Sequence, residues 1–163
     1  ADTSAPLLVL NASAEVESTR GPYKIPLNEF FLGPGQTVLK PGDLLASITI
    51  PIPSAEASAV YLKHSPRRAM DLAVVGVAAF YDPKTPRQLR IALGAVAPTP
   101  IRLPEVEKYL LDASTFDDAA LSAAARMAAQ TARPISDVRS SAGYRTSIVE
   151  ILTKRALKQV IQR

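Results

Sequence analysis

The sequence predicts an α+β fold, in which a three-stranded antiparallel sheet packs on a three-helix bundle, and three observations carry that prediction. Apolar stretches of strand length run through residues 58–97 and are separated by proline-bearing turns. From Leu103 onward the apolar spacing changes to that of helices, without returning to strand alternation. The chain of 163 residues, 47% of them hydrophobic, is long enough to build a core without a covalent or metal staple.

Asp2 and Thr3 ahead of the run Leu7, Leu8, Val9 and Leu10 read as the N-cap of a short helix with Pro6 in its first turn. Ala14 to Thr19 alternates as a strand, Arg20-Gly21-Pro22 turns, and Tyr23 to Ile25 returns. Leu27 to Leu32 reads as a helical turn ended by Gly33-Pro34-Gly35. After the turn at Lys40-Pro41-Gly42-Asp43, the strand Leu44 to Ile50 is expected to put Leu44, Ala46, Ile48 and Ile50 on one face. Pro51, Pro53 and Ser54 mark a boundary that divides the chain into residues 1–53 and 54–163.

Ser58 to His64, Leu72 to Tyr81 and Gln88 to Ala97 then form a meander that ends at Pro98-Thr99-Pro100. Alternation places Tyr61 and Lys63 on one face of the first strand and Val60, Leu62 and His64 on the other, so His64 is expected to be a structural or partly exposed histidine and not a general base. Leu103 to Leu111 is a short helix opened by Pro104. Thr115 with Asp118 resembles a capping box ahead of the alanine-dominated helix Asp117 to Ala132. The last helix starts near Ser141, with Tyr144, Ile148, Ile151, Leu152 and Ile161 as its apolar stripe. Asp137, Arg139 and Ser141 read as its cap and anchor.

The composition excludes much chemistry. Without cysteine the chain can hold no disulfide, thiolate nucleophile, cysteine-ligated zinc or iron–sulfur cluster, and with one histidine it can build no multi-histidine metal site. No metal site and no catalytic residue is expected, since phosphate-loop, dinucleotide, serine-hydrolase and zinc-protease motifs are all absent. The formal charge of +4 is concentrated in residues 139–163, where six cations face the single acid Glu150. Only Tyr144 lies among them to stack on bases, so a solvated helix face is expected and nucleic acid is not. Neither a membrane-length apolar run nor a secretory leader is present, and a soluble cytoplasmic protein without a membrane partner is expected.

Longer strings are more specific. Pro26-Leu27-x-Glu29-Phe30-Phe31-x-Gly33-Pro34-Gly35-x-Thr37 is followed by Leu39-x-Pro41-Gly42-Asp43-Leu44-Leu45, and then by Tyr61-Leu62-Lys63-x-x-x-Arg67-Arg68-x-Met70-Asp71-x-Ala73-Val74-Val75-Gly76. Leu93-Gly94-Ala95-Val96-Ala97-Pro98-Thr99-Pro100, Ile135-Ser136-Asp137-Val138-Arg139-Ser140-Ser141-Ala142-x-Tyr144-Arg145 and Leu152-x-x-Arg155-Ala156-Leu157 complete the set. In this order they resemble the FAD-binding medium subunit of the molybdenum hydroxylases, the xanthine dehydrogenase and carbon monoxide dehydrogenase family.

The resemblance implies that residues 1–53 are the C-terminal part of an FAD-binding domain and 54–163 a carbon monoxide dehydrogenase flavoprotein C-terminal-like domain. In the family the glycine-rich loops for the FAD pyrophosphate lie upstream, so the chain is expected to be inactive alone and to share FAD with an upstream N-terminal FAD-domain chain. The further partners implied are a large subunit with the molybdenum cofactor and a small subunit with iron–sulfur clusters, with NAD or another acceptor receiving the electrons. Family flavin contacts carried over by motif fall on Asp2, Leu45 and Lys63: an acid facing a cofactor hydroxyl or phosphate side, a backbone near the isoalloxazine ring, and a cation near the flavin. A docking module that binds partner subunits without its own cofactor is the alternative expectation.

Overall fold

The computed structural model describes residues 2–67, 71–84 and 86–162, so Arg68 and Met70 of the strings above lie outside the described residues. Its elements are helix α1 (Ser4–Val9), strands β1 (Ser13–Glu17) and β2 (Tyr23–Pro26), a 3-10 turn at Leu27–Glu29, and the small hairpin β3 (Phe31–Gly33) with β4 (Gln36–Thr37). There follow β5 (Leu44–Thr49), β6 (Ser58–His64), β7 (Val75–Asp82), β8 (Gln88–Gly94), β9 (Ile101–Arg102), α2 (Pro104–Asp112), α3 (Asp118–Thr131) and α4 (Ala142–Ile161).

The α+β class is as expected. Strands β6, β7 and β8 form the antiparallel meander, and the two residues of β9 extend it to the order β6-β7-β8-β9. Val75, Val77 and Ala79 of β7, with Leu89, Ile91 and Leu93 of β8, pack against Val106, Leu110, Leu121, Ala124, Ala128, Val149 and Leu157 of the three long helices. The opposite face is also covered. Ala78, Phe80 and Ala92 meet Ala5, Leu8 and Val9 of α1 and Ala14, Val16, Leu27 and Phe30 of the N-terminal segment. Burial on both faces explains why β7 reads as a continuous apolar run instead of alternating with polar residues.

Several local expectations are corrected. Thr3 occupies the position before α1 but makes no side-chain cap, and Asp2 turns away to an ammonium group, a stronger partner than a backbone amide. Phe31 to Gly33 pair with β4 as a strand, so the predicted helical turn is one 3-10 turn only. In β5 a bulge opposite Glu15 and Val16 breaks the alternation. Leu45 and Ile48 consequently face across from Val16 and Ala14, and the expected Leu44, Ala46, Ile48 face does not form. Asp117, and not Thr115, caps α3 by accepting from the Ala120 amide at 2.8 Å, while Asp118 pairs with Lys154 and Lys158 of α4. Those two pairs agree with a solvated, structural reading of the basic terminus.

Helix α4 is rotated from its predicted stripe. Tyr144 and Ile151 are exposed, and Arg145, Val149, Leu152, Ala156, Leu157 and Val160 face inward. The cause is Arg145, only 2% exposed, whose Nη2 donates to Asp137 at 2.7 Å and whose Nη1 donates to the carbonyls of Val74 and Ala95. Hydrogen bonds from the Arg139 side chain and backbone, and then from Arg145, hold the Asp137 carboxyl well below the usual carboxylate range. Ser141 caps the helix by accepting from the Tyr144 amide, as expected.

Two outcomes follow. Arg145→Ala should lose about 3 kcal/mol in a denaturant titration, because it strands the buried Val74 carbonyl and the half-buried Ala95 carbonyl and removes a charge-assisted bond. Asp43, which binds Tyr23 Oη at 2.6 Å, the Lys40 amide and Arg20, is lowered from 3.8 to about 2, chiefly by the Tyr23 hydroxyl. A depressed carboxylate contributes stability above its unfolded value and loses it as pH falls through the folded one. Stability should therefore decline between about pH 4 and pH 2, and Asp43→Asn should flatten part of that decline in acid-unfolding curves.

Candidate functional site

Lys63 stands one residue before the end of β6, and its neighbour across the sheet is Gly76 of β7. Alternation sends its side chain to the α1 face, where Nζ lies 2.7 Å from Asp2 Oδ2 and 2.9 Å from the Asp71 carbonyl. An ammonium has three N–H groups, so one is left for a further acceptor. Asp2 Oδ1 is buried and accepts no hydrogen bond from the protein. A buried carboxylate oxygen without a donor is costly, and it suits the hydroxyl of a bound molecule better than an anion.

Tyr61 shares the face of Lys63. Burial first, and the Asp2 charge second, push its phenol up to about 12, which keeps it protonated. Its ring lies across Gly76, where an added Cβ would stand 2.6 Å from the phenol oxygen, so the absent side chain makes room for the ring. Asp71 closes the side of the site. Its carboxylate accepts from the Arg67 amide at 3.0 Å and the Leu72 amide at 2.9 Å, and these, the Arg67 amide foremost, lower its pKa. The Arg67 guanidinium is a looser partner at 3.6 Å and is largely exposed. The structure thus brings Asp2 and Lys63 together in one ion pair. Leu45 is not part of that cluster, since it lies on the β2-β1-β5 sheet, paired with Val16 and 40% exposed. His64 points to the other face, as expected, with Nε2 3.3 Å from Tyr144 Oη of α4.

Sequence reasoning missed the residues that hold α1 over this site. Arg102 Nε and Nη2 grip Glu107 in a bidentate pair, both at 2.8 Å, and Glu107 also accepts the Ile91 amide. Nη1 of the same arginine donates to the Leu8 carbonyl and to Asn11 Oδ1, each at 3.1 Å. Arg90 lies 3.9 Å from the Phe80 ring centre and donates through Nε to the Val9 carbonyl. The available signal was Glu107, an acid placed between the apolar positions Val106 and Leu110 on the inward side of α2. Beside this grip a cleft of about 490 Å³ is lined by Asn11, Ser13, Asn28, Arg102 and Glu107. Among the described residues no group of three or more His, Cys, Asp or Glu side chains could hold a metal ion, and no helix is long and apolar enough to cross a membrane.

Comparison with known proteins bears on this arrangement. Residues 60–160 match the family described as the CO dehydrogenase flavoprotein C-terminal domain, and residues 1–53 match the FAD binding domain in molybdopterin dehydrogenase. The chain is 30% identical over 164 residues to a xanthine dehydrogenase FAD-binding subunit of Escherichia coli O157:H7, covering 99% of this chain and 56% of that one. It is 32% identical over 161 residues to the glyceraldehyde dehydrogenase medium chain of Sulfolobus acidocaldarius, at 98% and 56% coverage. Among solved structures it superimposes on a carbon monoxide dehydrogenase from Hydrogenophaga pseudoflava with a TM-score of 0.91 and 30% identity, over 98% of this chain and 55% of that chain. The chain therefore spans just over half the length of the curated relatives that it matches.

Proposed function

Since the chain belongs to the FAD-binding subunits of the molybdenum hydroxylase family, we propose that it supplies one wall of the flavin site in an oxidoreductase complex. The observation that supports this reading most strongly is the Asp2–Lys63 pair with its undonated oxygen. Asp2 would accept a cofactor hydroxyl through Oδ1, and Lys63 would present its remaining N–H and its charge to the flavin. A cation there favours negative charge on the reduced ring. FAD, when bound, supplies electron transfer between the iron–sulfur clusters of a small subunit and an acceptor, NAD or another. Substrate is oxidised on a large subunit that carries the molybdenum cofactor, in the cytoplasm.

The residues of this chain bind and orient. Tyr61 stays neutral beside Asp2 and adds an apolar wall, and Asp71 fixes the lysine through its carbonyl. In this reading Leu45 approaches the ring with its backbone from β5. The chain divides functionally near Pro51 to Ser54, residues 1–53 belonging to the FAD-binding domain, which an upstream part completes, and 54–163 forming the second domain. A cofactor-free docking module is the second reading, and one observation favours it. Leu44, Leu45 and Ile48 of β5, with Ile50 and Ile52 beyond it, are all exposed, as on a surface that partners cover.

Flavin titration of the isolated complex, stripped of FAD and followed by fluorescence quenching, separates the two. Asp2→Ala and Lys63→Ala should each weaken FAD binding about tenfold, the loss of one charge-assisted hydrogen bond. Asp2→Asn, which keeps an acceptor, should lose less. Unchanged affinity in both alanine variants contradicts the site, and a complex that takes up no FAD favours the docking module.

A further inference from the structure

Helix α1, of six residues, is too short to keep its place by its own hydrogen bonds, and Asp2 lies two residues before its start. Asn11, at φ 52, adopts the left-handed conformation that asparagine tolerates, and the chain closes as a Schellman turn: the Ala12 amide donates to Leu7 O and the Asn11 amide to Leu8 O. The Leu10 amide takes Pro6 O. Val9 O and the second lone pair of Leu8 O are satisfied from outside the helix, by Arg90 of β8 and Arg102 of β9. Both cations sit at the negative end of the helix dipole. Arg102 is itself immobilised by the bidentate pair with Glu107, which is only 8% exposed and is locked to the Ile91 amide.

At the other end of α1 the only ion pair of Asp2 among the described residues is Lys63 of β6. The helix is thus pinned across the sheet at both ends by cations from three different strands. A shift of α1 along its axis would break the Arg102 contacts and carry Asp2 away from Lys63 together.

We propose that Arg102 is a positioning residue for the flavin site: by gripping the C-terminal carbonyl of α1 against Glu107, it fixes where Asp2 Oδ1 stands relative to Lys63 at the helix's other end. The inference rests on the reading of Asp2 as a flavin contact. It concerns a side chain that lies in a different cleft from the Asp2–Lys63 pair and that does not touch the proposed cofactor wall.

A double-mutant cycle on the FAD-stripped complex tests it, with the FAD dissociation constant and the visible spectrum of the bound flavin as readouts. Arg102→Met should weaken FAD binding about fivefold and shift the flavin bands. If Arg102→Met does not fold, Arg102→Lys, which can keep one contact but not the bidentate grip, takes its place with a smaller loss in the same direction. In an Asp2→Ala background, either change should cost less than twofold, because the residue being positioned is gone. Losses that multiply across the cycle would overturn the proposal, since Arg102 would then act on the fold at large. Full affinity in Arg102→Met with weakened affinity in Asp2→Ala would overturn it while leaving the flavin reading intact. Full affinity in Asp2→Ala would remove the reading of Asp2 as a flavin contact, on which the inference rests.

Discussion

The seating of a six-residue helix on the second face of the meander is the constraint on which the rest of the structure depends. A helix of that length is marginal in water, because its nucleation cost is spread over too few hydrogen bonds. Tertiary contacts must hold it. Ala5, Leu8 and Val9 are buried against Ala78, Phe80 and Ala92. Apolar burial of this kind is non-directional and sets no register along the helix axis. The directional contacts are those of Arg90, Arg102 and Lys63, and they fix where along the sheet α1 stops.

A buried arginine serves the opposite layer in a related way. Arg145 ties the start of α4 to the carbonyls before β7 and after β8, with Asp137 as its counter-charge. The two grips run in opposite senses: Arg145 of a helix holds carbonyls at the ends of β7 and β8, whereas Arg90 and Arg102 of the sheet hold carbonyls of α1. Both use the planar fork of guanidinium, which a lysine would not reproduce. The meander is consequently held from both sides, and the Asp2–Lys63 pair is assembled on a rigid frame before any ligand arrives. Pre-organisation of that kind lowers the ordering cost of binding.

How much of this was legible in the sequence depended on the range of the interaction. Strand β6 is read to the residue, and the side on which Tyr61, Lys63 and His64 fall follows from alternation alone. Helices α2, α3 and α4 were legible from Pro104, from the alanine run and from Ser141 as a cap. What failed required a distant partner. The bulge beside Leu45 depends on pairing with β1, and the rotation of α4 depends on Asp137 and two carbonyls far away in sequence. Asp2 as a cap was a sound local choice that Lys63, 61 residues on, overrides. The Arg102–Glu107 grip was missed although Glu107 falls on the inward side of α2, because its partner Arg102 lies on a two-residue strand that alternation cannot reveal.

Amide hydrogen exchange on the intact protein tests the seating of α1 most directly. If the cation contacts and the buried face hold the helix as described, the amides of Leu7 and Leu10, which bond to Thr3 O and Pro6 O, exchange as slowly as those of β7 and β8. Exchange of these amides near the rate of an unstructured peptide, while β7 and β8 stay protected, would show that α1 frays independently of the sheet. The account of a pre-set Asp2–Lys63 pair would then be contradicted.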